Sequence, residues 1–152
     1  MPTITDAICT SFKDEVLGGT HDLDASGDTL KIALIKEETS LTTDSFGAST
    51  TNYSSLTANS NEVSGTGYTT GGATLSSQVV ENSGTVAFLD FADVSWSITG
   101  TLTAGGALIY NSSKSNKAIA VIDFGGAKTA NDQTFTIQFP VADAGNAIIR
   151  VN

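Results

Sequence analysis

Gly106-Ala107-Leu108-Ile109-Tyr110, then Asn111-Ser112-Ser113-Lys114-Ser115-Asn116, then Lys117-Ala118-Ile119-Ala120-Val121-Ile122 is the stretch that decides the fold. Two short apolar runs flank a block with no apolar residue, the pattern of an antiparallel hairpin with a long, exposed polar tip. From Ala118 to Ile122 every position is apolar, so both faces of that strand need cover. One cover would be a sheet and the other a neighbouring element or subunit.

Outward from this hairpin the period of two recurs. Strands are expected over residues 30–35, 62–68, 73–80, 85–91, 94–98, 106–110, 117–124, 133–139 and 147–151. In Thr134-Phe135-Thr136-Ile137-Gln138-Phe139 the apolar side chains face one way and the polar ones the other, as in a half-buried sheet. Gly71-Gly72, Asn82-Ser83-Gly84, Gly105-Gly106, Gly125-Gly126 and Ala144-Gly145-Asn146 punctuate the strands as turns. The fold class that follows is mostly β: an antiparallel β-sandwich or jelly roll, one β domain over residues 1–152.

One helix is expected, over about residues 5–17. Ile8, Phe12 and Val16 are four apart and share a face, Thr5 can cap it and Gly18-Gly19 can stop it. Its apolar stripe would close the end of its own sandwich or dock on a neighbouring subunit. Between about residues 37 and 61 the chain is Ser-, Thr-, Asn- and Asp-rich, with Leu41, Phe46, Tyr53 and Leu56 as apolar anchors. That is a surface excursion, either functional and ordered by a partner or a loose insertion.

Charge and chemistry narrow the function. Seven Lys and Arg against sixteen Asp and Glu leave a net charge of −9, which repels phosphate backbones, so no nucleic-acid partner is expected. No apolar run reaches the ~20 residues of a membrane span, and the start Met1-Pro2-Thr3-Ile4-Thr5-Asp6 lacks a signal-peptide pattern. No membrane partner is expected, and the chain should fold where it is made. Charged residues are only 15% of the chain against ~25% in ordinary soluble domains, which hints that part of the surface is covered.

His21 is the one histidine and Cys9 the one cysteine, so a nucleophile activated by a base is hard to assemble and no internal disulfide can form. No catalytic, metal-binding or cofactor-binding residues are assigned, no cofactor is expected, and the chain is read as non-enzymatic. Gly65-Thr66-Gly67 with Gly71 has the wrong spacing and setting for a nucleotide turn. Asp90 and Asp123 could form a glycosidase pair but are equally explained as outward strand residues. Asp22-Leu23-Asp24-Ala25-Ser26-Gly27-Asp28 matches the first half of a calcium loop. Its twelfth position is Ala33, where a bidentate Glu is needed, so a polar connection rich in Asx turns is preferred. Asn52-Tyr53-Ser54 and Asn111-Ser112-Ser113 fit the glycosylation pattern but are read as ordinary exposed loops. Trp96 and Phe91 are read as core residues.

Four segments carry a resemblance: residues 61–68 (Asn61-Glu62-Val63-Ser64-Gly65-Thr66-Gly67-Tyr68), 106–111, 121–126 (Val121-Ile122-Asp123-Phe124-Gly125-Gly126) and 135–140 (Phe135-Thr136-Ile137-Gln138-Phe139-Pro140). With them the chain resembles small virion structural proteins of tailed bacteriophages, most of all head decoration (cement) proteins. The resemblance implies partners in the major capsid protein lattice and in further copies of the chain as a homotrimer. It implies a place on the capsid exterior after synthesis in the host cytoplasm. On this view trimer contacts would cover the two-sided apolar strand while the loops grip the shell. The alternative is a tail, neck or fibre module binding a host receptor or glycan through residues 37–61 or 111–116.

Overall fold

The computed structural model describes residues 1–151. It is mostly β, with antiparallel sheets and one short helix. The elements are β1 (Ala7–Ile8), α1 (Thr10–Leu17), β2 (Leu30–Ile35), the single helical turn α2 (Ser54–Thr57), β3 (Ala73–Thr74), β4 (Val79–Ser83), β5 (Val86–Asp90), β6 (Val94–Ser97), β7 (Thr101–Asn111), β8 (Lys117–Asn131), β9 (Thr134–Ile137) and β10 (Ile149–Val151). A five-stranded sheet has the order β1-β8-β7-β2-β3, a three-stranded sheet β10-β5-β4, and a pair β6-β9. This arrangement is consistent with a β-sandwich. Buried side chains from Ile4 to Ile149 form one cluster between the layers.

The deciding hairpin is the centre of the largest sheet. β7 and β8 pair from Thr101↔Asn131 to Asn111↔Lys117, and β2 flanks β7 from Leu30↔Asn111 to Ile35↔Gly106. Ala118 to Val121 are buried. The second cover they require comes from the chain itself: α1 lies on β8, Phe12 is buried, and the Cys9 amide donates to the Ile119 carbonyl at 2.9 Å. In β9 the predicted alternation appears, with Phe135 and Ile137 buried between exposed Thr134 and Thr136.

Five expectations need correction. The helix begins at Thr10, not near Thr5, because the preceding backbone is taken up by sheet-like pairing: Thr5 N–H donates to the Phe46 carbonyl, and Ala7 and Ile8 pair with Val121 and Ala120. Gly18 does cap its end. Gly105-Gly106 and Gly125-Gly126 are not turns. They form one large bulge inside the β7/β8 hairpin, where Gly105 alone stands opposite residues 124–127 between the pairs Ala104↔Lys128 and Gly106↔Asp123. Gly125 and Gly126 supply positive φ there, and a Cβ on Gly105 would come within 2.8 Å of the Glu37 backbone.

Residues 62–68 are not a strand. Glu62 bridges Ile35 and Thr66 bridges Thr99, but between them the chain turns at Gly65–Gly67, and a Cβ on Gly67 would collide with the Ser97 carbonyl. Residues 73–80 split into β3 and the start of β4 around Leu75-Ser76-Ser77, and the strand expected over 147–151 pairs only from Ile149. Residues 37–61 run over the surface, as expected, on their apolar anchors. They lie down on the sheets, with Leu41, Phe46 and Leu56 buried.

Candidate interaction surface

Two buried asparagines fasten the polar segments. Asn61 accepts from the Thr42 amide (3.1 Å) at Oδ1 and donates to Asp44 Oδ2 (3.1 Å), while its own carbonyl receives the Lys36 amide. It therefore clips residues 42–44 to the end of β2. Asn111, expected in an exposed tip, is fully buried. Its Oδ1 accepts the Ser113 and Lys114 amides (3.0 and 3.1 Å), which leaves Nδ2 to donate to Asp28 Oδ2 (2.8 Å) and to His21 Nδ1 (2.9 Å). A side chain satisfied on all four sides can be buried at little cost, and a hydrophobicity pattern cannot reveal that.

The same network explains the histidine and the aspartate-rich connection. With Nδ1 accepting, the proton of His21 sits on Nε2 and is donated to Glu15 Oε2 at 2.8 Å; the ring also lies against Phe12, with centroids 5.0 Å apart. Glu15 Oε1 takes Lys117 Nζ at 2.6 Å. Asp28 Oδ2 also accepts the Asp22 amide, Asp22 Oδ1 accepts the Asp24 amide, and the Asp28 amide donates to the Asp22 carbonyl. The carboxylates of the calcium-like segment thus close their own Asx turns. Among the described residues no group of three or more His, Cys, Asp or Glu is placed to hold a metal ion.

Burial pushes the Glu15 carboxyl upward, but the hydrogen bonds from Lys117 and His21 and the charge of Lys117 outweigh it and leave it below its ordinary value. Asp28 behaves likewise: burial raises it, and Asn111, the Asp22 amide and Lys114 prevail. A carboxyl lowered in the folded state adds stability that is present above the unfolded-state value. That stability is lost as pH falls through the folded-state value. The melting temperature should therefore fall on acidification below about pH 4, and more shallowly in Glu15→Gln than in the wild type. Identical acid slopes in the two would refute this linkage.

A second buried knot surrounds Glu62, which is 8% exposed. Tyr68 Oη donates to Oε1 (2.7 Å), Tyr53 Oη to Oε2 (2.6 Å), and the Gly71 amide to Oε1 (2.7 Å). Tyr68 Oη also accepts the Leu34 amide, serving as the partner that β2 lacks there, and Tyr110 Oη donates to the Gly71 carbonyl. The Tyr53 and Tyr110 rings stack at 4.5 Å. Burial, and after it the Glu62 carboxylate, raises the phenols of Tyr53 and Tyr68, and pushes Tyr110 up to about 12. These groups hold their protons firmly and act as struts.

The remaining candidates are placed apart. Cys9 is buried with Sγ directed at the Gly47 carbonyl, and burial pushes its thiol up to about 11, away from nucleophilic use. Asp90 lies on β5 and Asp123 on β8, in different sheets, and Asp123 Oδ1 accepts the Gly125 amide. Residues 65–68 are a turn against β6. Asn52 ties the polar segment to the tip, donating to the Ser115 carbonyl at 2.8 Å. Trp96 is buried beside Tyr68 and Phe135, and Phe91 beside Phe139.

What faces outward is polar loop, with a few apolar residues at the end of α1, in loops and on strand edges. Leu17 is 89% exposed and Val151 63%. Both line a groove of about 250 Å³ between α1 and β10, with Phe12, Val16 and Ile149 as its walls and Lys13 and Arg150 as its only charged members. No helix is long and apolar enough to cross a membrane. Comparisons with protein-family models, curated proteins and solved structures found no match.

Proposed function

We propose that this chain is a structural protein of a tailed-bacteriophage virion, of the head-decoration kind, which stabilises the capsid by binding its assembled lattice as a homotrimer. The observation that carries this reading is the fastening of the polar segments. Residues 37–61 and 111–116 are held to the sheets by buried Asn61 and Asn111, so their outer surface is presented in one conformation. Loops ordered in advance lose little entropy on binding, which suits a protein whose work is adhesion.

Such a role needs no turnover. A protein that binds only the assembled shell stabilises it by mass action, in proportion to RT ln(1 + [L]/Kd) at each site. The net charge of −9 suits an outer surface that faces away from packaged DNA. The two-sided strand β8 lends no support to the trimer, since α1 already covers it. Support for self-association comes from the sheet edges.

Co-sedimentation with expanded empty phage heads tests the reading. The protein should pellet with the heads to saturation, at a gel-band ratio comparable to the major capsid protein, and should raise their melting temperature. Protein that remains in the supernatant with heads that melt unchanged would overturn it.

A further inference from the structure

The three-stranded sheet has two open edges. β10 and β4 both pair with β5, and neither makes a backbone hydrogen bond on its other side among the described residues. Register aligns Val80, Leu89 and Ile149 in one row and Glu81, Phe88 and Arg150 in the next. Successive rows project from opposite faces. Val80 thus lies on the core face with Leu89 and Ile149, which are 3% and 4% exposed, yet Val80 itself is 46% exposed because no strand stands beyond it.

The two edges complement each other. At β4 the unpaired side offers an apolar residue on the core face, Val80, and an exposed acid on the other, Glu81. At β10 it offers exposed Val151 beside Leu17, and the cations Lys13 and Arg150. Arg150 is bound to the carbonyls of Ala144 and Gly145, and among the described residues neither cation forms an ion pair with a carboxylate. A symmetric contact of groove with groove would set these cations against their own copies. A contact of β4 with β4 would oppose two Glu81 residues.

We propose that copies of this chain associate head to tail, with β4 of one copy adding as a strand to β10 of the next. The sheet then continues across the boundary. A continuous sheet keeps one core face, so Val80 of one copy enters the groove beside Leu17 and Val151 of the next, and Glu81 falls on the same face as Arg150. Such a heterologous contact closes into a ring when the rotation permits, as a trimer requires. This inference rests on the self-association in the proposed function and names its surface.

The test is sedimentation velocity of the full chain across micromolar concentrations, with circular-dichroism melting as the control for folding. Glu81→Arg and Arg150→Glu should each weaken self-association about tenfold or more, and the double variant E81R/R150E should recover it. Val80→Lys, at an exposed edge position, should give a folded monomer. Oligomers undiminished in both Glu81→Arg and Val80→Lys would overturn this interface while leaving self-association standing. A monomeric wild type would overturn the interface and the trimer together, and lattice binding would still be read independently by co-sedimentation with heads.

Discussion

Ile119→Lys is expected to abolish folding. Ile119 is fully buried in β8, the strand on which α1 lies, and its carbonyl receives the amide of Cys9, the residue just before the helix. The substitution removes a core side chain, which costs about 2–5 kcal/mol. It also places an ammonium group at a position closed to solvent, at a further cost of several kcal/mol. The sum rivals the whole stability of an ordinary domain, about 5–15 kcal/mol. Far-ultraviolet circular dichroism and urea titration should show no cooperative transition. Because the cover of β8 is internal, the variant should yield unfolded or aggregated chain, not a folded monomer, and so differs in kind from Val80→Lys. A cooperative melt within a few degrees of the wild type would show that α1 does not seal this strand.

Glu62→Ala carries the second-largest expected effect. The Glu62 carboxylate is the shared acceptor for Tyr53, Tyr68 and the Gly71 amide, all in a region with little access to water. Removing it strands three donors, each worth about 1–3 kcal/mol when buried without a partner. Local rearrangement would recover part of this, and a net loss of roughly 3–5 kcal/mol lowers the melting temperature by about 10 °C or more in a chain of this size. Tyr53→Phe removes one donor and leaves the carboxylate two others, so its loss should be about 1 kcal/mol. If Glu62→Ala melts no lower than Tyr53→Phe, the knot is not the strut its geometry describes.

The contrast between these two residues shows what could be read in advance. Ile119 belongs to a run apolar at every position, and a run of that kind announces a doubly covered strand before any coordinate is known. Glu62 sits in a stretch whose alternation suggested an ordinary strand. Nothing local distinguishes it from a surface acid, because its partners Tyr53 and Gly71 are nine residues away on either side. Asn111 is similar: its partners His21 and Asp28 lie 90 and 83 residues away, so a polar tip was the natural reading of a buried hub. The glycine pairs at 105–106 and 125–126 mark special backbone in the sequence, yet a bulge and a turn make the same local demand for small residues and positive φ. The pairing register alone separates them.

By itself, then, the amino-acid order determined the mostly β class, the deciding hairpin, the alternation in β9, and the scarcity of imidazole and thiol. Each is a matter of periodicity or composition, which act over a few residues. Tertiary structure alone decided where α1 begins, that residues 37–61 lie down on the sheets, which polar side chains are buried, and which strand edges stay open. Those outcomes depend on hydrogen-bond partners and covers brought from distant parts of the chain, and a backbone group or carboxylate has no preference among them until the fold places one within reach.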